Sequence, residues 1–242
     1  MSKPLLTASW SNLVIVTYAV PPGLIRPRIP HWLELDLLDG NAFVSLVGFE
    51  FRDTKVFGLS WPAPRSFPEL NLRTYVRHGQ ERGVLFVCEF VPTRRVAWAA
   101  RGLYNEPYAV APLAVETLPA PASLSVRYSL SWRGRTHTVA VTGRKPAVVP
   151  AEGSQENFFK EHRWGFGATF LGQPLRYEVL HPVWSLYPVE SFSLDFDWEQ
   201  VYGPEWAFLN GADPELTMFA QGSAVQLYPW RLLARQHAMA SN

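Results

Sequence analysis

Stretches in which apolar and polar residues alternate dominate the chain, and turn residues separate them. The clearest is 123–133, where five large apolar residues alternate with serine and arginine. Successive side chains of a strand point to opposite faces, so this pattern predicts a strand with one buried face. The same reasoning predicts further strands at 135–142, 169–171, 175–181, 189–196 and 224–228.

Turn signals between alternating stretches predict two β-hairpins. Residues 33–38 and 41–51 flank Asp39-Gly40, a dipeptide typical of the tight primed turns that join antiparallel strands. A second hairpin is predicted from strands at 69–78 and 84–91, which a polar stretch at 79–83 connects.

Helical spacing is confined to three segments. Thr93 is a good N-cap for a helix that ends near Tyr104 and carries an apolar stripe. A second helix is predicted over 154–163, and a short third one from Pro204 to just before Gly211. Many short strands with few helices predict a mostly β, α+β fold. We expect an antiparallel barrel-like sheet with a few flanking helices, in a single domain over residues 1–242.

The composition excludes several kinds of partner. Hydrophobic residues make up 48% of the chain, enough for a large core, and the formal net charge is only +1. Because nucleic-acid-binding domains present clustered Lys and Arg, no nucleic-acid partner is expected. Residues 1–10 lack a signal-peptide pattern, and no apolar run reaches the ~20 residues of a membrane-spanning helix. We therefore expect a cytoplasmic protein without a membrane partner.

Recognised cofactor and metal motifs are missing from the sequence. It contains no glycine-rich phosphate loop, no Gly-x-Ser-x-Gly elbow and no His-Glu-x-x-His zinc motif. Its six histidines show no ligand spacing, and its single cysteine, Cys88, lies in an apolar stretch typical of a buried thiol. The sequence therefore predicts neither a metal nor a cofactor.

Residues 69–76 carry a row of polar side chains. If they form a strand, one face holds Glu69, Asn71, Arg73 and Tyr75. Same-face neighbours lie roughly 6.5–7 Å apart, so Glu69 and Arg73 would both reach a group bound near Asn71. In an open sheet this face would meet solvent. In a barrel-like sheet it would line the lumen and orient a polar ligand.

Residues 100–110 lead from a helix end through a proline turn, and their spacing resembles that of acetoacetate decarboxylases. The rest of the chain resembles more closely the uncharacterised YqjF-like family of the acetoacetate decarboxylase-like superfamily. The resemblance runs from about residue 10 to about 190. It rests on Val20-Pro21-Pro22 with Pro30, Asp39-Gly40, Glu69 to Arg73, Gly83-Val84, Arg101 to Tyr108, Arg127, and His181-Pro182 with Trp184.

The resemblance implies a small-molecule pocket and a homo-oligomer, but the central residues of the decarboxylases are missing. Those enzymes use two adjacent lysines, one of which forms a Schiff base while its neighbour lowers its pKa. Here the two positions fall on Tyr108 and Ala109, so a Schiff-base mechanism is not expected. Tyr108 would instead line the pocket and donate a hydrogen bond or transfer a proton. All the lysines lie elsewhere, at Lys3, Lys55, Lys145 and Lys160.

Each remaining candidate has a structural alternative. Glu69 resembles a glutamate of the decarboxylase pocket, or forms a salt bridge with an arginine. Arg73 and Arg127 would clamp a carboxylate, or neutralise Glu69 or face water. Arg101 would bind the ligand, or stabilise a helix C-terminus. His181 would shuttle protons, or be a hydrogen-bonded structural group at a strand end.

Three functional hypotheses remain open. The first is an enzyme for an oxygenated organic acid, with lyase-type or proton-transfer chemistry and no imine. The second is a non-catalytic protein that binds or senses a small molecule, and the third is an oligomerisation module with a filled lumen. The candidate catalytic residues are Glu69, Tyr108 and His181, and the candidate substrate-binding residues are Asn71, Arg73, Tyr75, Arg101 and Arg127.

Overall fold

The computed structural model describes residues 3–60, 64–160 and 162–233. The strands are β1 Leu6–Val20, β2 Glu34–Leu35, β3 Ala42–Val56, β4 Leu59–Ser60, β5 Phe67–His78, β6 Glu81–Val91, β7 Tyr108–Val110, β8 Leu113–Pro119, β9 Ser123–Trp132, β10 Arg135–Arg144, β11 Trp164–Ala168, β12 Pro174–Leu180, β13 Leu186–Tyr187, β14 Val189–Asp195, β15 Leu216–Leu227 and β16 Arg231–Leu232. The α-helices are α1 Pro22–Ile25, α2 Arg94–Tyr104, α3 Gln155–Lys160 and α4 Trp198–Tyr202. Two 3₁₀ helices span Arg26–Arg28 and Pro204–Leu209.

One large sheet forms the frame of the protein, with its strands in the order β13-β15-β1-β3-β5-β6-β11-β12-β16. Its pairs are antiparallel except those of β6 with β7 and β11. β12 also pairs with β15, through Val179–Leu227 and Leu180–Gln226. The sheet therefore curls until its two sides meet, which confirms the predicted mostly β, α+β fold.

An interior strand of this sheet is β1, which the alternating pattern did not predict. It pairs with β15 on one side and β3 on the other. From Leu13 to Val16 every residue is buried, with Val14 and Val16 on the outer face of the curl and Leu13 and Ile15 on the inner face. A strand buried on both faces reads as a continuous apolar run, so the period of two is lost.

A second sheet, in the order β14-β10-β9-β8, covers the outer face of the curl. The apolar face predicted for 123–133 is confirmed, because Val126, Tyr128 and Leu130 of β9 are buried against the large sheet. A Cβ added at Gly48 of β3 would lie 2.9 Å from the Tyr128 ring, so the two sheets approach closely there.

β5 separates an outer core from an inner one. Leu70, Leu72 and Val76 face the core between the two sheets. Glu69 and Asn71, on the opposite face, are buried inside the curl with 1% of their surface exposed. The alternation predicted for this strand is therefore confirmed, and its polar face lies inside the sheet.

Two predicted strands are corrected. Residues 169–171 form the turn between β11 and β12, because Gly172 adopts φ 73° and its N–H donates to Thr169 O at 2.8 Å. Asp39 and Gly40 do form a tight turn, with φ 51° and 81°. The segment before that turn contributes only the two-residue β2, which pairs with β5 rather than β3.

The helices follow the capping signals. Thr93 caps α2 by accepting a hydrogen bond from the Val96 N–H at 3.4 Å, as predicted. The segment starting at Pro204 is a 3₁₀ helix that ends at Leu209. The second helix, α3, ends at Lys160, before the predicted end. None of the described helices is long and apolar enough to cross a membrane.

Gly222 of β15 is a point where the curl allows no side chain. Its φ is 84°, and an added Cβ would lie 2.1 Å from the Trp10 carbonyl oxygen of β1. We expect Gly222→Ala to cost more than the roughly 1–2 kcal/mol of a left-handed L-residue, because backbone must also move. Gly40→Ala is the matched control, since Gly40 also has a positive φ but nothing within 4 Å of an added Cβ. Urea unfolding of both variants measures the difference, and an equal loss of stability would contradict the close approach.

Candidate functional site

A small cavity lies inside the curl and offers about 60 Å³ to the centres of water-sized molecules. That volume accommodates a few waters or a small organic molecule. Aromatic and aliphatic side chains form part of its wall, among them Trp10, Phe49, Phe51, Phe86 and Trp184. The polar side chains that line it are Glu69, Asn71, Arg73, Glu89, Tyr104, Glu106, Tyr108 and Tyr177.

β5 supplies the first row of polar groups. Asn71 Nδ2 donates to Glu69 Oε1 at 2.9 Å, and the Tyr108 hydroxyl donates to Glu69 Oε2 at 3.0 Å. Arg73, next along the same face, donates from Nη2 to the Phe159 carbonyl oxygen at 3.2 Å. Both oxygens of Glu69 are thus held by donors, which fixes the position of its carboxyl group.

β6 adds Glu89 through an irregularity in its pairing. Leu72 lies opposite Cys88 but Arg73 lies opposite Phe86, so Val87 is an extra residue in β6. In a regular strand Phe86 and Glu89 would point to opposite faces, because they are an odd number of residues apart. The bulge brings both into the cavity, as bulges beside functional sites commonly do.

The turn between α2 and β7 supplies Glu106 and Tyr108. Asn105 ends α2 in the left-handed region at φ 54°, and its side chain donates to Ala168 O at 2.6 Å. The Glu89 N–H donates to Pro107 O at 3.1 Å, which ties this turn to β6. Glu106, only 6% exposed, is thereby placed beside Glu69 and Glu89.

Tyr177 closes the cavity from β12. Its ring crosses Gly165 of β11, where an added Cβ would lie 2.2 Å from a ring carbon. Its side chain lines the cavity beside Glu106, where it opposes the rise in the pKa of that carboxyl group. The glycine therefore makes room for the phenol that contacts one of the three glutamates.

The three glutamates perturb one another in a dry environment. Burial is the largest cause of the raised pKa of Glu69, although hydrogen bonds from Asn71, Glu89 and Tyr108 and the charge of Arg73 oppose it. Burial, followed by the charges of Glu69 and Glu106, raises the pKa of Glu89 well above its ordinary value. Burial and the charge of Glu69 raise the pKa of Glu106 to about 8. Glu69 therefore has the environment that best supports a carboxylate, and Glu106 retains its proton at neutral pH.

Several buried polar atoms of this cavity lack a hydrogen-bond partner in the described structure. Buried polar groups are nearly always paired, so such a group facing a cavity indicates a bound molecule or water. They are Trp10 Nε1, Asn71 Oδ1, Arg73 Nε, Glu89 Oε1, Tyr104 OH and Glu106 Oε1. The cavity thus offers both donors and acceptors to a ligand. No group of three or more His, Cys, Asp or Glu side chains within the described residues is placed to hold a metal ion.

Comparison with known proteins identifies the family. The model of the DUF2071 family, described as an uncharacterized conserved protein, matches residues 7–224. The chain belongs to this family. Another protein like it, the uncharacterized protein YqjF of Bacillus subtilis (strain 168), is 24% identical over 190 residues, 77% of each chain. The resemblance to the YqjF-like family is therefore confirmed.

Solved structures relate this DUF2071 protein to the acetoacetate decarboxylase-like fold. The acetoacetate decarboxylase of Legionella pneumophila matches with a TM-score of 0.65 at 14% identity, covering 96% of this chain and 88% of its own. The enduracididine biosynthesis enzyme MppR complexed with pyruvate matches with a TM-score of 0.64 at 15% identity, covering 97% of this chain and 92% of its own. At such identities the likeness shows the fold alone.

The predicted site residues divide into two groups. Glu69, Asn71, Arg73 and Tyr108 line the cavity together. The Tyr108 hydroxyl donates to Glu69 in this structure, so its one proton is directed to a protein group.

The other four predicted residues are outside the cavity lining. Tyr75 is buried farther along β5, where its hydroxyl bonds Ser45 Oγ at 2.7 Å. His181 stacks on Trp184 with the ring centres 4.0 Å apart, behind the cavity wall. Arg101 is exposed and donates to the Tyr108 carbonyl oxygen, which supports the turn after α2. Arg127 is exposed on the outer face of the second sheet, because the buried face of β9 belongs to its apolar neighbours.

Sequence reasoning missed Glu89, Glu106, Tyr104 and Tyr177. A signal for Glu89 was present, since it is a lone charge within the apolar stretch 84–91. Glu106 lies within the segment that carried the decarboxylase resemblance, two residues before Tyr108. Nothing in the spacing of Tyr177 distinguishes it from a core aromatic.

We expect Glu106 to reduce the free energy of unfolding as pH rises from about 5 to about 8. In this range the unfolded chain has released the Glu106 proton, whose ordinary pKa is 4.5, while the folded protein keeps it up to about 8. The difference between the pKa of Glu106 in the unfolded and folded states corresponds to a few kcal/mol of unfolding free energy at most.

Glu106→Gln cannot ionise, so its free energy of unfolding should fall less over this pH range than that of the wild type. Urea unfolding at several pH values measures both slopes. Glu50→Gln, on the outer side of β3, is the control and should keep the wild-type slope. Identical slopes for Glu106→Gln and the wild type would mean that Glu106 is ionised in the folded protein at neutral pH.

Proposed function

We propose that the cavity binds a small oxo acid and that Glu69 transfers a proton at the carbon next to its carbonyl group, without an imine. The observation that carries this proposal is the set of three buried glutamates and one arginine around a cavity with unpartnered polar atoms. Strongly perturbed carboxyl groups in a cleft are typical of acid–base sites.

Arg73 is suited to hold the carboxylate of the acid. It is the one cationic side chain among the described residues that line the cavity. Among the described residues its Nε has no hydrogen-bond partner, and its Nη2 hydrogen bond to Phe159 O holds the guanidinium in place. A guanidinium binds a carboxylate through two parallel hydrogen bonds, which also fix the orientation of the ligand.

Two of the glutamates have complementary protonation states. Glu69, whose two oxygens accept hydrogen bonds from Asn71 and Tyr108, acts as the base and takes a proton from the carbon next to the carbonyl group. Glu106, protonated at neutral pH and with Oε1 unpartnered, donates its proton to the carbonyl oxygen. The carbon–hydrogen electron pair becomes the carbon–carbon double bond of an enol, and the two protons end on Glu69 and the enol oxygen. A base whose pKa is raised toward neutral is well matched to this step.

The fold relatives support an oxo acid as the ligand class. One is an acetoacetate decarboxylase and another was complexed with pyruvate. No lysine occurs among the described residues that line this cavity. We therefore infer that an enol, rather than an enamine, is the intermediate from which any lyase-type reaction proceeds.

The second candidate is a binding or sensing protein without catalysis. It is favoured by the Tyr108 hydroxyl, which is committed to Glu69 where the decarboxylases carry their nucleophile. Both candidates require that the acid binds, and they differ in whether its protons exchange.

Thermal shift and calorimetric titration with pyruvate and 2-oxobutanoate test binding. Arg73→Gln should weaken binding at least tenfold, about 1.4 kcal/mol, because the carboxylate loses its charged partner. Arg127→Gln, an exposed arginine on the second sheet, is the matched control and should bind as the wild type does. An equal loss of affinity in both variants would show that long-range electrostatic attraction, and not a direct hydrogen-bonded contact with Arg73, accounts for binding.

Proton transfer is measured by NMR as exchange of the C3 protons of 2-oxobutanoate in D₂O. The wild type should accelerate exchange, and Glu69→Gln should bind the acid but lose the acceleration, because an amide is not a base. Glu50→Gln should exchange as the wild type does. Binding with no acceleration by the wild type would reject the enzyme and leave the binding protein.

A further inference from the structure

A second chamber adjoins the cavity and is almost entirely apolar. It offers about 70 Å³ to the centres of water-sized molecules and lies between α2 and the ends of β3 and β5. Most of its lining is hydrocarbon, and the polar side chains there are Thr54, Tyr104 and Tyr108. We call it the tail chamber, and the glutamate-lined cavity the head cavity.

The two spaces share part of their walls. Side chains of Phe51, Tyr104, Tyr108 and Leu227 line both. The Tyr108 hydroxyl donates a hydrogen bond to Glu69 in the head cavity, and Tyr108 also lines the tail chamber. The reacting groups of the head cavity therefore lie at the boundary with the tail chamber.

The same face of β5 runs through both spaces in order. Arg73, Asn71 and Glu69 line the head cavity, and Phe67, two residues before Glu69, lines the tail chamber. Same-face neighbours lie about 6.5–7 Å apart. β3 shows the same order, with Phe49 in the head cavity, Phe51 in both and Val56 in the tail chamber. A ligand held at Arg73 and extended along these strands would enter the tail chamber beyond Glu69.

We propose that the ligand is an oxo acid with an unbranched or flat apolar tail, and that the tail occupies this chamber. The inference rests on the proposed function and names its substrate class. A charged or strongly polar tail would find few partners, because among the described residues that line the chamber only Thr54 and the two tyrosines carry a hydroxyl group. Burial of each methylene stabilises a complex by about 0.8 kcal/mol, so affinity should rise about fourfold with each added methylene until the chamber is full.

Calorimetric titration with pyruvate, 2-oxobutanoate, 2-oxopentanoate, 2-oxohexanoate and 2-oxooctanoate tests the proposal. Ala100, on the α2 wall of the chamber, is replaced by Leu, which fills the chamber and favours a helix as Ala does. Ala114→Leu, on the exposed side of β8, is the matched control. The expected result is a stepwise gain in affinity in the wild type and Ala114→Leu, and a flat series in Ala100→Leu with pyruvate binding retained.

The outcomes separate the two proposals. Pyruvate binding as tightly as its longer homologues in the wild type would overturn the tail and leave the oxo-acid site intact. If no oxo acid binds, 1-pentanol and 1-hexanol serve as probes of the chamber alone. Alkanol binding that Ala100→Leu abolishes would support an apolar ligand while rejecting the acid site, and its absence would overturn both.

Discussion

The burial of three carboxyl groups without an equal number of cations is the constraint on which the site depends. An ionised carboxylate in a dry interior is strongly unfavourable, so a buried glutamate either finds donors or keeps its proton. Glu69 has donors on both oxygens, whereas the pKa values of Glu89 and Glu106 are raised, which favours their protonated forms. A hydrocarbon core of similar shape would be more stable. The polar cluster therefore lowers the free energy of unfolding, and packing in other parts of the protein must offset this loss.

The two cores of the fold supply that offset. Outside the curl, the second sheet packs on β1, β3 and β5 through large aromatic and branched side chains that are fully buried. Inside the curl, a second apolar cluster surrounds the cavity on most sides. The strands that carry the glutamates are thus held from both faces, and little movement is available to relieve the repulsion between the carboxyl groups.

The sequence predicted the parts of this arrangement that local pattern determines. Alternation placed Glu69, Asn71 and Arg73 on one face, and Thr93 marked the start of α2. The interior strand β1 was missed because burial on both faces removes the alternation. Alternation correctly placed Arg127 on the polar face of β9. Only the tertiary structure shows that this face points away from the cavity. Glu89, Glu106 and Tyr177 meet through the pairing of distant strands, which no local pattern records.

The extra residue in β6 has a consequence for how the family can diverge. Phe86 and Glu89 face the cavity together only because Val87 interrupts the pairing. Deleting Val87 would leave these two residues only two positions apart, so a regular pairing of β5 with β6 would still keep both on the cavity face. A one-residue gap here in an alignment would therefore mark a member that has lost the bulge and kept its glutamate in the pocket, whereas a relative of the same length needs the bulge to place that glutamate there.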